Sequence, residues 1–216
     1  MDLWGSEMNQ YKVLDVDVDE LPFSDFLTSL YSMTVRVDAQ KTYGLAKKKD
    51  IPFFNLTSAC ILQALNEIPE FRWRIIEGNV VEYEKISAVS PIMQKDYTIR
   101  EIEIKPVDEF ENIFEWNQYV ENKKSNIDDN QYLVEPMKRD EMPIANLSCV
   151  PWIDFDSMTN IIASPNQIMP VVSWGKLVDG KIPISLTASH VFIFGWHFKL
   201  FYEKVAEYLN NPLKLF

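Results

Sequence analysis

The sequence predicts a two-layer α+β fold: a mixed, mainly antiparallel sheet with helices packed on it. Three observations carry that prediction. Strand-like and helix-like periodicities alternate along the chain, so it is neither all-α nor all-β. Tight turns flanked by strand patterns recur, at Glu77-Gly78-Asn79 and at Asp179-Gly180, which favours antiparallel pairing. With 6 Gly against 13 Phe, 9 Tyr and 6 Trp, the interior is bulky and aromatic. No linker, repeat or low-complexity tract divides the 216 residues, so 1–216 reads as one domain.

The elements follow in order. From Lys12 to Asp19, Val16 and Val18 alternate with Asp15, Asp17 and Asp19, the pattern of a half-buried strand with an acidic face. A calcium loop would need Gly at its sixth position and Glu at its twelfth, and here those are Glu20 and Phe26. Ser24 can cap a short helix through Tyr31, and Thr34 to Asp38 reads as a strand. Asn55 to Ile68 is helical, with Leu56, Ala59, Leu62 and Ala64 among its small and apolar positions, and Pro69 stops it. Phe71–Ile76 and Val80–Tyr83 form a hairpin. Val107, Phe110, Ile113 and Phe114 have the spacing of an amphipathic helix, and Glu121–Asp129 reads as a surface loop. Val171–Val178 and Lys181–Ser189 make a second hairpin. Gly195 to Asn210 is a helix with Phe198, Phe201, Tyr202, Val205 and Leu209 on its apolar stripe, followed by Pro212.

A formal net charge of -11 disfavours nucleic acid as the main partner and argues against a purely electrostatic hold on membranes. It leaves room for a local basic pocket and a small anionic cofactor. Cys60 and Cys149 do not make a disulfide framework and read as buried free thiols. The first residues, MDLWGSEMNQYK, lack a basic region followed by an apolar run, and no uncharged apolar stretch reaches the ~18 residues of a membrane span. A cytoplasmic location is the expectation.

There are 2 histidines, His190 and His197. His190 falls where a strand ends and a helix has not begun. It shares parity with Ile184, Leu186 and Ala188, so it points to their apolar face. It reads either as a satisfied core residue or as a general base in an apolar cleft, where burial favours the neutral imidazole. His197 carries no assigned chemistry, and no cluster around the pair has metal-ligand spacing. A G-x-S-x-G elbow and a G-x-x-x-x-G-K-[ST] loop are both missing, which excludes those two hydrolase and nucleotide signatures.

Two segments resemble the chloramphenicol acetyltransferase family: Pro151-Trp152-Ile153-Asp154-Phe155-Asp156-Ser157, and Ser189-His190-Val191-Phe192-Ile193-Phe194-Gly195. The family patterns are approximately P-W-[IV]-x-F-[DT]-S and H-H-x-x-x-D-G. Pro69-Glu70-Phe71-Arg72 after a helix adds to the likeness, which runs from about Phe23 to Leu209. The resemblance implies a fold like that of the CoA-dependent acyltransferase domains of 2-oxo acid dehydrogenases. It also implies a homotrimer with sites at the subunit interfaces and a role in antibiotic resistance. Acetyl-CoA would be the co-substrate and a small-molecule hydroxyl, chloramphenicol by default, the acceptor; no metal is implied. His190 matches the catalytic base and Ser157 the serine that stabilises the tetrahedral oxyanion. Tyr31 and Ser173 match positions by the acceptor, and Lys176 a lysine by the coenzyme tunnel.

The chain departs from the family at Phe194, where the family has Asp, and at Ser189, where it has His. No Arg lies between Met1 and Arg36 to pair with the missing Asp. Losing both halves of a buried pair can leave stability unchanged, whereas restoring one half buries a lone charge, so Phe194→Asp is expected to destabilise. Phe194 is expected to fill the vacated space. Two alternatives stay beside the acetyltransferase reading: a trimeric binding or scaffold protein without catalysis, and an acyltransferase with a different acceptor, such as a sugar, lipid or peptide-linked hydroxyl.

Overall fold

The computed structural model describes residues 11–127 and 133–216. The first part of the chain gives β1 (Tyr11–Val13), β2 (Leu30–Asp38), α1 (Gln40–Lys49), α2 (Phe53–Asn66), β3 (Trp73–Ile76), β4 (Asn79–Tyr83), β5 (Ser87–Met93) and β6 (Ile99–Ile104). The second gives α3 (Ile113–Ser125), β7 (Ile144–Cys149), β8 (Val171–Trp174), β9 (Lys181–Ser189) and α4 (Gly195–Asn210). The main sheet runs β2-β9-β8-β7-β5-β6, and a small one runs β1-β4-β3. In the main sheet β7 is parallel to β5 and to β8, and the other pairs are antiparallel.

Strand alternation gives the main sheet two different faces. Ile182, Ile184, Leu186 and Ala188 of β9, Val172 and Trp174 of β8, and Ala145 and Leu147 of β7 join the core made with α2 and α4. α2 is apolar almost all round, and Leu56, Ala59, Cys60, Ile61, Leu62 and Leu65 are buried, as suits a helix enclosed by its neighbours. α4 packs by Phe198, Phe201, Val205 and Leu209. The opposite face carries small polar groups, among them Ser173, Ser185 and Thr187. Asn160, in the long connection from β7 to β8, hydrogen-bonds Ser173 and Thr187 there.

Several expectations are corrected. The strand expected over Lys12–Asp19 ends at Val13, and Val13 is exposed. Asp17 instead accepts the Asp19 N–H at 2.9 Å and starts a 3-10 turn at Val18–Glu20, a local bond that competes with a ladder. No helix follows Ser24. Its hydroxyl donates back to the Leu21 carbonyl, and β2 begins at Leu30, because nine residues pair with β9 without a break. The helix expected from Val107 starts at Ile113, where the Asn112 carboxamide accepts from the N–H groups of Phe114 and Glu115. It then runs to Ser125, so Glu121–Ser125 of the expected loop are helical, while Asp128 and Asp129 lie outside the described residues, as does the segment before Tyr11.

The two turns take the form their residues predict. Glu77 and Gly78, and again Asp179 and Gly180, have positive φ at both positions, as a two-residue hairpin requires. The first joins β3 to β4; the second closes a bridge between Val178 and Lys181. The strand before it is shorter than expected and stops at Trp174. Among the described residues, no helix is long and apolar enough to cross a membrane, and no group of three His, Cys, Asp or Glu could hold a metal ion. Cys60 is buried, and Cys149 is partly so.

Candidate active site

The end of β9 and the turn after it present His190. Its backbone N–H donates to the Ser29 carbonyl at 2.8 Å, and the N–H of Ile193 donates back to the Ser189 carbonyl at 2.9 Å. Ser189 is buried and shares a 2.7 Å hydrogen bond with the Ser29 hydroxyl. A serine here therefore staples the turn to the segment before β2.

Three aromatic rings enclose the imidazole. Tyr31 lies stacked on it with centroids 4.6 Å apart, Phe23 is tilted against it at 4.3 Å, and Phe194 stands edge-on at 5.0 Å. Tyr31 also donates its hydroxyl to the Ile193 carbonyl at 2.9 Å, and burial pushes its pKa up to about 12, so it stays a neutral donor. Phe23 reaches its place with φ of 61°, a conformation that bulky side chains rarely adopt. The imidazole Nδ1 is buried with no hydrogen-bond partner among the described residues.

Phe194 does not fill a buried space. It is 38% exposed and occupies the N-cap of α4, where its extended backbone has no side-chain cap. The N–H of Phe194 donates to His197 Nδ1 at 2.9 Å, so His197 serves the helix start. With Nδ1 accepting, the His197 proton belongs on Nε2, which faces Glu70 at 3.7 Å.

The other sequence-selected residues gather elsewhere. Lys176 borders a cavity of 730 Å³ also lined by Phe53, Phe54, Trp152 and Trp174. Ser173 borders a second cavity of 340 Å³ on the polar face. Its hydroxyl is buried and donates to Asn160 Oδ1 at 2.6 Å, and the Asn160 amide donates to Thr187 at 2.8 Å. Ser157 borders neither cavity. It sits exposed in the β7–β8 connection, beside Asp156, which Arg36 holds at 2.8 Å while also gripping Asp154 at 2.6 Å.

Ser148 borders both cavities, and sequence reasoning did not single it out. It is the Cα partner of Ser173 across the parallel β7–β8 pair, and its hydroxyl bonds no described residue. The available signal was the strand alternation, which sets Asn146 and Ser148 between Ala145, Leu147 and Cys149.

One chain does not bring all these groups together. Ser185 donates to the Met158 carbonyl next to Ser157, and it pairs with Ser173, the neighbour of Ser148. His190 lies five residues farther along β9, or about 16 Å at ~3.3 Å per residue. It also sits on the helix side with Tyr31 and Phe198, whereas Ser148 is on the other face.

The chain matches the family model described as chloramphenicol acetyltransferase over residues 20–206. It is 24% identical over 201 residues to a chloramphenicol acetyltransferase of Bacillus pumilus, covering 86% of this chain and 88% of the other. A solved chloramphenicol acetyltransferase superposes with a TM-score of 0.79 at 29% identity, covering 92% and 99%. The truncated catalytic core of the Thermoplasma acidophilum 2-oxoacid dehydrogenase complex superposes with a TM-score of 0.65 at 14% identity, covering 93% and 99%, a likeness of fold.

Proposed function

The chain belongs to the chloramphenicol acetyltransferase family of acyltransferases, and on that premise we propose that it moves the acetyl group of acetyl-CoA to a hydroxyl of chloramphenicol or a similar small molecule. The observation that carries the reading is the position of Ser148 at the wall shared by the two cavities. The larger one suits the co-substrate: Phe53, Phe54, Trp152 and Trp174 offer apolar and stacking surface, and the Lys176 ammonium suits a phosphate. The smaller one, beside Ser173, takes the acceptor.

His190 acts as general base. With Nδ1 buried, it is Nε2 that removes the acceptor hydroxyl proton as that oxygen attacks the thioester carbonyl, then gives the proton to the departing thiolate. Such a base contributes about 100- to 10,000-fold. Ser148 is the oxyanion donor in this reading, in preference to Ser157, because it stands where the two cavities meet and Ser157 borders neither. Tyr31 positions His190 and does not contact the acceptor with its own hydroxyl, which Ile193 engages.

His190 and Ser148 of one chain are too far apart to share a substrate. That separation supports a site shared between copies, with His190 of one chain facing the cavities of the next, in a homotrimer of single domains spanning 1–216. The competing reading, a scaffold without catalysis, draws on Phe194 in the place of the family Asp.

Thiol release from acetyl-CoA, measured with and without acceptor in the parent and in His190→Ala, tests the proposal. Acceptor-dependent release that falls at least 100-fold in the variant is the expected result. Equal release in both would refute the mechanism, and coenzyme binding without release for any acceptor would favour the scaffold.

A further inference from the structure

One stretch of chain walls both cavities. Residues 150–170 join β7 to β8 with no helix or strand of their own. Connections that long are uncommon inside a compact domain and usually functional. Pro151 and Trp152 line the larger cavity, and Met158, Asn160, Ile161 and Ile162 line the smaller one. Between these two stretches, the polar contacts that hold residues 154–156 are those of one side chain, Arg36 on β2. Its Nη1 donates to Asp154 at 2.6 Å, and its Nη2 donates to Asp156 at 2.8 Å and to the Phe155 carbonyl at 3.3 Å. On one side of this grip the Ile153 carbonyl takes the Lys176 N–H at 2.8 Å, and on the other the Met158 carbonyl takes the Ser185 hydroxyl at 2.9 Å. The base of the grip is fixed, because β2 pairs with β9 along its whole length.

We infer that Arg36 is a positioning residue that holds the walls of both cavities at once and thereby couples the binding of the two substrates. The inference rests on the reading of these cavities as the coenzyme and acceptor sides. The Arg36 side chain is 38% exposed and that of Asp156 is 95% exposed, and ion pairs so open to water add little to global stability. A planar fork that grips three consecutive residues instead selects one conformation of the connection. Without the fork the connection is in place for only a fraction of the time, and the apparent affinity of each ligand falls by that same fraction. A connection in place one-tenth of the time weakens both ligands about tenfold. Whichever ligand binds first then keeps the connection in place, so the second no longer meets the loss. A lysine at position 36 keeps the charge but not the fork, and it holds one carboxylate at a time.

The test is calorimetric titration of the full chain with CoA and with chloramphenicol, each alone and each in the presence of a saturating amount of the other. Arg36→Gln should weaken both ligands by the same factor, about tenfold, and saturating CoA should return the chloramphenicol affinity to within about twofold of the parent. Arg36→Lys should lie between the two proteins. If Arg36→Gln melts well below the parent, Asp154→Asn combined with Asp156→Asn removes the same grip from the other side and should give the same pair of results. Parental affinities in these variants, a loss confined to one ligand, or a loss that the other ligand does not restore each overturn the inference, as does a parent that binds CoA and not chloramphenicol. A parent that binds both ligands but transfers no acetyl group from acetyl-CoA overturns the acetyltransferase reading alone, and a parent that does not bind CoA overturns both.

Discussion

The phenol of Tyr31 lies against the imidazole of His190 with ring centroids 4.6 Å apart and planes 23° from parallel, while its hydroxyl holds the Ile193 carbonyl. One side chain thus fixes both the ring and the turn that carries it. Tyr31→Phe keeps the stack and loses the hydrogen bond, so it should cost about 1 kcal/mol of stability and little rate. Tyr31→Leu loses both, and misplacement of the base should lower kcat by about 10- to 100-fold. Steady-state kinetics of the pair would check this; equal kcat in Tyr31→Leu and the parent would rule out a positioning role.

Ser148 and Ser157 make a second comparison. Removing an oxyanion donor costs about 100- to 1000-fold in kcat. Ser148→Ala should show that loss with KM for acetyl-CoA little changed, and Ser157→Ala should stay within a few-fold of the parent. The reverse order would return the role to Ser157.

At Phe194 the expectation from sequence reverses. The residue caps α4 and is partly exposed, so an aspartate would enter no sealed apolar space. It would accept from the N–H groups of the first turn and face the positive end of the helix. Phe194→Asp should therefore raise stability by about 1 kcal/mol. A thermal midpoint below that of the parent would show that the position is enclosed in the assembled protein.

Gly175 lets the β7–β8 connection lie directly on β8. A Cβ there would stand 2.5 Å from the Ile153 carbonyl oxygen and 2.8 Å from both Phe155 and Pro183. The Lys176 N–H donates to that same Ile153 oxygen at 2.8 Å. Gly175→Ala should destabilise by about 1–3 kcal/mol and raise KM for acetyl-CoA, since Gly175 and Lys176 share the larger cavity. Parental values for both the melting midpoint and KM would disprove the close packing.

Three carboxylates should make the protein acid-sensitive. Burial opposes ionisation of Glu67, Glu82 and Glu121, yet hydrogen bonds and charges from Lys204, from Lys12 with Arg72, and from Lys124 outweigh it. Each pKa falls below the ordinary 4.5. A carboxylate with a lowered folded pKa contributes stability above its unfolded pKa and loses it as pH falls through the folded one. The thermal midpoint should hold from neutral pH to about pH 5 and fall below about pH 4.5. A midpoint unchanged down to about pH 3 would contradict this.

Much of the fold was legible where a local rule agreed with packing. α2 and α4 announce themselves by apolar spacing, and both hairpins by residues that accept positive φ. α1 was not legible, because only Thr42 and Ala46 of its ten residues are buried and its last turn is Lys47-Lys48-Lys49. It is held from outside, by Thr42 donating to the Leu209 carbonyl at the end of α4. At the site, the motif around His190 locates the imidazole but does not reveal its cage, since Phe23 arrives from a strained loop 167 residues away in sequence. Ser148 escaped notice because a serine in a strand is ordinary until a cavity is seen on either side of it.

The pairing of β2 with β9 also dictates when the chain can finish folding. Leu30 and Ser189 are neighbours in space but about 160 residues apart in synthesis. At ~5–20 residues per second, a nine-residue edge strand waits on the order of ten seconds for its complement to leave the ribosome. During that interval its unpaired backbone invites association with other nascent chains. The last strand to emerge pairs with β2 and installs His190 in the same event, so a chain terminated before β9 would lack both the imidazole and the partner of β2.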